Sequence, residues 1–339
     1  MKFKPKKLGI FLLSIIISIG GLWYAFNKID LNEFWFHFSS VNYFLLVFVM
    51  LLLIFSVLIR ASRWKLILIP FEKIDLHPLF ESTMIGYFGN SVFPFRLGEI
   101  LRGYSLCNNY SITFSVTFGT IILERILDMF GLIILIGFVF VSILLFGDSN
   151  LLSLFPNWMI NSIGIAVFST LFIAVLIFFL GDSIMKNLNR VQGKSIKNES
   201  TIRNKVLISL IHLLEGITSL KKSDKIGQIL VQSLNLWVIY YACSFLIVIA
   251  LNIDIGWIEV GIILTATTLS ITVPAAPGYI GTYHAVIVFL GTTLFAISRP
   301  EAQAFAVIAH ACGYLPFVIL GVYYFMKSSF KFSEIKGNT

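Results

Sequence analysis

Asn90-Ser91-Val92-Phe93-Pro94-Phe95-Arg96-Leu97-Gly98-Glu99-Ile100-Leu101-Arg102 interrupts a very apolar chain with a proline, a glycine and three charges. Proline has no amide hydrogen to give a helix, and glycine accepts backbone angles closed to other residues, so a helix entering this stretch breaks there. The flanking segments, 81–93 and 96–107, are each shorter than the about 20 apolar residues that a membrane crossing needs. A second stretch, Thr272-Val273-Pro274-Ala275-Ala276-Pro277-Gly278-Tyr279-Ile280-Gly281-Thr282-Tyr283-His284, repeats the device between 257–273 and 281–296. Broken helices survive at membrane depth only where protein or a water-filled cavity covers their backbone. Paired breaks of this kind in two parts of a chain are the sequence mark of a transport site.

Outward from these breaks the chain reads as membrane-embedded. Of its 339 residues 58% are hydrophobic and 12% charged, against about 25% charged in soluble domains, and the mean hydropathy is +0.91. Full crossings are expected at 8–26, 42–59, 112–146, 159–180, 227–250 and 302–326. The expected fold is therefore an all-α polytopic membrane protein, with about six full transmembrane helices plus two re-entrant helical hairpins. The run 112–146 is either one tilted helix or a half-helix joined to a full one near Glu124. Lys2, Lys4, Lys6 and Lys7 ahead of 8–26 imitate a signal peptide. The apolar run exceeds the roughly 7–15 residues of a signal core and no small-residue cleavage site follows, so a retained first helix is expected.

The lysines and arginines behind the net charge of +8 gather at the two ends, in 60–73 and in 181–226, whereas 27–41, 147–158 and 251–256 hold one between them, Lys28. The positive-inside rule then puts both termini in the cytoplasm, as in a bacterial cytoplasmic (inner) membrane, and requires an even number of crossings. With six full helices the first hairpin dips from the cytoplasm and the second from outside, an inverted repeat. Basic residues so distributed anchor a cytoplasmic face and do not suggest nucleic-acid binding. Within 181–226, Val206, Leu207, Leu210, Leu213, Leu214 and Ile217 recur at helical spacing. That segment is either an amphipathic helix on the cytoplasmic leaflet or a connector packed on helix ends. Residues 1–339 are expected to form a single integral membrane domain with no separate catalytic domain. Cys107, Cys243 and Cys312 are far apart with no paired spacing, which points to packing and not to a disulfide framework or a zinc site.

The charges have their own pattern. Arg96, Glu99 and Arg102 are spaced by three and share a broad helical face; Glu124, Arg125 and Asp128 form a second set, with Glu124 and Asp128 on one face. A charge at mid-membrane costs about 2.5–3.5 kcal/mol, so these six would cost roughly 15–20 kcal/mol if left unpaired. Folded proteins hold only about 5–15 kcal/mol in all, so the six must pair. Three arginines balance three carboxylates. The set is either a substrate site, whose guanidinium forks grip a phosphate, or a static clamp holding the hairpin. Asn90 either caps a broken helix end or lines the cavity. Pro274, Pro277, Gly278 and Gly281 break the second hairpin, and their amides offer an anion-binding nest. His284 is either a proton-responsive partner or a satisfied buried histidine, with His310 a weaker candidate. Arg60, Arg63 and Trp64 are expected to anchor a helix end at the membrane interface. The chain shows no nucleotide loop, no His-x-x-x-His or Cys-x-x-Cys pair and no nucleophile elbow, so no cofactor, metal or catalytic residue is expected.

At these motifs the chain resembles the transmembrane region of the lysylphosphatidylglycerol synthase/flippase family, whose members include stand-alone bacterial proteins. The matching residues are Arg60-Ala-Ser-Arg63-Trp64, Gly86 through Asn90, Pro94-Phe-Arg96-Leu-Gly98-Glu99 with Arg102, Glu124-Arg125-Ile-Leu-Asp128, and Pro274-Ala-Ala-Pro277-Gly278-Tyr-Ile-Gly281. The family often has Glu where His284 stands, and the soluble aminoacyl-transferase domain of the full-length synthases has no counterpart in the sequence. The resemblance implies a lipid translocase fold of paired re-entrant hairpins. The expected activity is movement of a phosphate-bearing or aminoacylated membrane lipid between leaflets, with Glu99, Asp128 or His284 as proton carriers. Two rival expectations are an intramembrane transferase acting on a polyprenyl-linked donor and a secondary transporter of a small anion.

Overall fold

Long runs of Leu, Ile, Phe and Val satisfy their backbone groups in lipid only by closing them into helices. All regular elements among the described residues are accordingly helical. The computed structural model describes residues 5–93, 97–146, 202–272 and 276–328, with isolated positions between 162 and 184. Numbered among those residues, the helices are α1 (Pro5–Phe26), α2 (Leu31–Ser39), α3 (Tyr43–Leu68), α4 (Leu76–Val92), α5 (Gly98–Cys107) and α6 (Phe114–Phe146). After the partly described stretch come α7 (Ile202–Thr218), α8 (Ile226–Ala250), α9 (Trp257–Thr272), α10 (Thr282–Leu294) and α11 (Arg299–Lys327). Short 3₁₀ turns occupy Ser219–Lys222 and Pro277–Tyr279.

Among the described residues, four segments are long and apolar enough to cross a membrane: Tyr43–Leu68, Phe114–Ile143, Ile226–Ala250 and Arg299–Lys327. The expected run 8–26 falls within α1, and 159–180 lies outside the described residues apart from isolated helical positions. Helix α6 runs unbroken for 33 residues, so 112–146 contains one long helix and not a joined pair. Helix α3 starts on Asn42, whose side chain accepts from the Leu45 amide, and runs to Leu68, well past the expected end at 59.

Both proline breaks separate helix pairs at the expected places. In the first, α4 and α5 lie so close that a Cβ on Gly98 would overlap the Gly86 carbonyl oxygen and the Asn90 backbone. Asn90 Oδ1 accepts from the Gly98 amide at 3.0 Å. Of its two expected roles, Asn90 therefore takes the capping one, satisfying a donor orphaned at the start of α5. In the second pair, Gly278 (φ 73°) and Gly281 (φ 99°) hold left-handed angles between α9 and α10, and Gly281 presses on the Ser18 carbonyl of α1. The Pro277–Tyr279 turn also lies against α4, so the two breaks are neighbours in space.

The larger core joins α1, α3, α6, α8, α9, α10 and α11 through residues such as Val49, Val139, Ile247, Ile263, Ile287 and Phe305. A smaller core lies under the first pair, around Trp64, Leu79, Met84, Leu106 and Ile121. Helix α7 packs along α6, with Gly216 against Gly119. Helix α1 is tied at two heights. Ser18 Oγ accepts from the Ala276 amide at 2.7 Å. At its C-terminal end, Arg299 donates to the Tyr24 carbonyl and Gln303 to the Ala25 carbonyl.

A buried arginine–carboxylate cluster as the candidate functional site

Helical spacing assembles the site from three elements. On α6, Thr120, Glu124 and Asp128 recur every fourth residue and form one polar stripe. On α3, Arg60, Arg63 and Trp64 form the complementary stripe, and α5 brings Glu99 and Arg102 from the first break. Arg60 Nη1 lies 2.8 Å from Asp128 Oδ2, and Arg63 Nη2 lies 2.7 Å from Asp128 Oδ1. One carboxylate thus holds two guanidinium groups. Glu124 does the same, 3.4 Å from Arg63 Nη2 and 2.7 Å from Arg102 Nη2. Arg125 bridges back, 3.1 Å from Glu99 and 3.3 Å from Asp128.

Neutral groups finish the enclosure. Arg60 donates to the Tyr240 hydroxyl at 3.1 Å and Arg63 to Ser233 Oγ at 3.0 Å, tying α8 to the cluster. The Arg102 guanidinium stacks 3.8 Å over the Trp64 ring, and Trp64 Nε1 donates to Thr120 Oγ1 at 2.9 Å. A planar, weakly hydrated guanidinium suits such stacking where an ammonium would not. The side chains of Arg63 and Glu124 are 0% exposed, whereas that of Arg125 is 40% exposed. The cluster is sealed at its α3–α6 core and partly exposed at Arg125.

Glu99, Arg102, Glu124, Arg125 and Asp128 are all brought together, as expected. Arg96 and Pro274 lie outside the described residues. Two points differ among the residues described. The expected neutrality of three arginines against three carboxylates does not hold: Arg60, Arg63, Arg102 and Arg125 face Glu99, Glu124 and Asp128. Arg60, Arg63 and Trp64 do not anchor a helix end at the interface; all three are buried. The physical reason is α3's extra length, which carries these residues back into the protein beside two carboxylates. Their signal was present in the sequence: the 60, 63, 64 spacing mirrors the 124, 125, 128 spacing, and two matching charged stripes on long apolar helices are best satisfied by each other.

The second break gathers different chemistry. His284 is buried, its ring is 4.8 Å from that of His310, and its Nδ1 has no hydrogen-bond partner among the described residues. His310 Nε2 is 2.8 Å from the Gly278 carbonyl oxygen and its ring stacks on Tyr314. A Cβ on Gly278 would strike the Tyr314 ring and one on Gly281 the Ser18 backbone, so these glycines serve close packing. All three cysteines are free, Cys243 and Cys312 buried in the larger core.

A polytopic helical membrane protein with an arginine-rich ionic cluster beside a broken helix pair is the class that fold and site define. Residues 11–321 match the lysylphosphatidylglycerol synthase TM region, and the chain belongs to that family. It is similar to two proteins of Methanocaldococcus jannaschii. UPF0104 membrane protein MJ1078 is 24% identical over 239 residues, covering 70% of this chain and 93% of the relative. UPF0104 membrane protein MJ1595 is 24% identical over 298 residues, covering 84% of each. No solved structure matches the chain significantly.

Proposed function

We propose that this membrane protein moves a phosphate-bearing or aminoacylated lipid between leaflets, with the arginine–carboxylate cluster receiving the head group while the acyl chains stay in lipid. The single observation that carries the proposal is the gradient of burial across one connected ionic network. Arg63 and Glu124 are sealed, while Arg125, 40% exposed, shares two carboxylates at the open end. A purely structural clamp has no need of an open end, and buried ion pairs are weak contributors to stability in any case. In this proposal the two proline-broken pairs are re-entrant hairpins entering from opposite faces of a bacterial inner membrane, with both termini cytoplasmic. The chain carries out no covalent chemistry, and the His284–His310 pair couples movement to protons.

The test is leaflet exchange of head-group-labelled lipid in proteoliposomes. Wild-type protein is expected to accelerate exchange, and Arg125→Gln to abolish it while keeping wild-type yield and melting temperature. Wild-type exchange rates in Arg125→Gln, or no exchange by the wild type, would leave the cluster as a static clamp.

A further inference from the structure

The charge and hydrogen-bonding state of the cluster narrows what it accepts. Four guanidinium groups, those of Arg60, Arg63, Arg102 and Arg125, share three carboxylates, those of Glu99, Glu124 and Asp128. One positive charge is in excess among the described residues of the network. Its unmet hydrogen-bonding capacity has the same sign. Buried and without a hydrogen-bond partner among the described residues are Nε of Arg60, Arg63 and Arg125, and Nε and Nη1 of Arg102. Arg102 Nη2 and Glu124 Oε2 are paired with each other at 2.7 Å. Guanidinium nitrogens donate and never accept. A partner that brings acceptor oxygens meets those donors, and one that also brings negative charge offsets the excess.

We infer that the cluster is a receptor for a singly charged phosphodiester and discriminates against net-cationic, aminoacylated head groups, an inference that rests on the translocase proposal for its lipid source. A phosphodiester offers two equivalent oxygens, which match a guanidinium fork edge to edge, and one negative charge, which cancels the excess. Arg102 is suited to receive it. The residue is 1% exposed, its guanidinium carbon lies 3.8 Å over the Trp64 ring, and its Nε and Nη1 have no partner among the described residues. Arg125, at the open end, is suited to escort it by exchanging Asp128 or Glu99 for the incoming anion. An aminoacyl ester brings an ammonium group, a further set of donors, to a site already short of acceptors. Discrimination between head groups follows as much from that mismatch as from attraction to phosphate.

The experiment measures binding and movement separately on the purified full-length chain. Binding is read as the shift in melting temperature in detergent on adding phosphatidylglycerol, lysylphosphatidylglycerol or inorganic phosphate. Movement is read as leaflet exchange of each labelled lipid in phosphatidylcholine vesicles. Phosphatidylglycerol is expected to raise the melting temperature and to exchange; lysylphosphatidylglycerol is expected to do neither. Arg125→Gln, which folds because its site is half open, is expected to weaken phosphatidylglycerol binding about tenfold, the loss of one charge-assisted contact. A stabilisation by lysylphosphatidylglycerol equal to or above that by phosphatidylglycerol overturns the inference and leaves translocation standing. Binding of phosphatidylglycerol without exchange of any lipid overturns translocation and leaves the receptor standing. A response to inorganic phosphate with none to either lipid keeps the anion receptor and overturns its lipid source.

Discussion

The two proline breaks solve the same backbone problem with opposite chemistry. At the first, a side-chain amide from α4 caps the start of α5, and α5 then presents Glu99 and Arg102 to a network of charges on α3 and α6. At the second, two left-handed glycines make the turn, a serine of α1 accepts the free Ala276 amide, and the adjoining side chains are histidine and tyrosine. One break is stabilised by ion pairing and the other by close backbone packing. The difference teaches that a broken helix does not need charge to persist in an apolar protein. The first break therefore carries more charge than a broken helix requires, which agrees with the proposed head-group site.

Four substitutions break or sharpen that contrast. The largest effect is expected at Glu124, fully buried between Arg63 and Arg102. Glu124→Ala leaves two buried guanidinium groups short of a partner and should cost about 3–5 kcal/mol, seen as loss of monodisperse protein on size exclusion. A variant that melts like the wild type would show the core of the cluster to be wet. Next comes Gly281→Ala, at φ 99° against the Ser18 backbone. Strain of this kind costs about 1–3 kcal/mol before the overlap is relieved, so its melting temperature should fall clearly, without change in head-group preference. Asn90→Ala removes the cap on the Gly98 amide and should cost about 1 kcal/mol, a small melting shift that tells whether the first break tolerates loosening. The smallest stability effect belongs to Arg125→Gln, at most about 1 kcal/mol for a half-exposed ion pair. Its functional effect should nevertheless be complete in the exchange assay.

Much of this architecture was legible. Apolar run lengths gave the long helices, and proline with glycine gave both breaks, because those residues act locally and independently of partners. The α5 and α6 members of the site were legible for a related reason: charges inside apolar runs have to be paired. Arg60 and Arg63 were misassigned because basic and aromatic residues at the end of an apolar run are the ordinary mark of an interface. What moves them inside is a set of carboxylates 61 to 68 residues later in the chain, and local pattern carries no information about so distant a partner. The role of Ser18, 258 residues before the amide it binds, was invisible for the same reason. His310 drew little weight as a lone histidine; its meaning comes from Gly278 and His284 beside it.

The tethers on α1 have a consequence for biogenesis. Helix α1 is fastened to Ala276, Arg299 and Gln303, which are translated 258 to 278 residues after their partners. Until then Ser18 and the last carbonyls of α1 lack their mates, so the helix must wait in the insertion machinery or in lipid as a loosely held stave. Maturation of this protein is therefore a late event, and nascent chains arrested before residue 299 should expose α1 to the membrane proteases that patrol unfinished products.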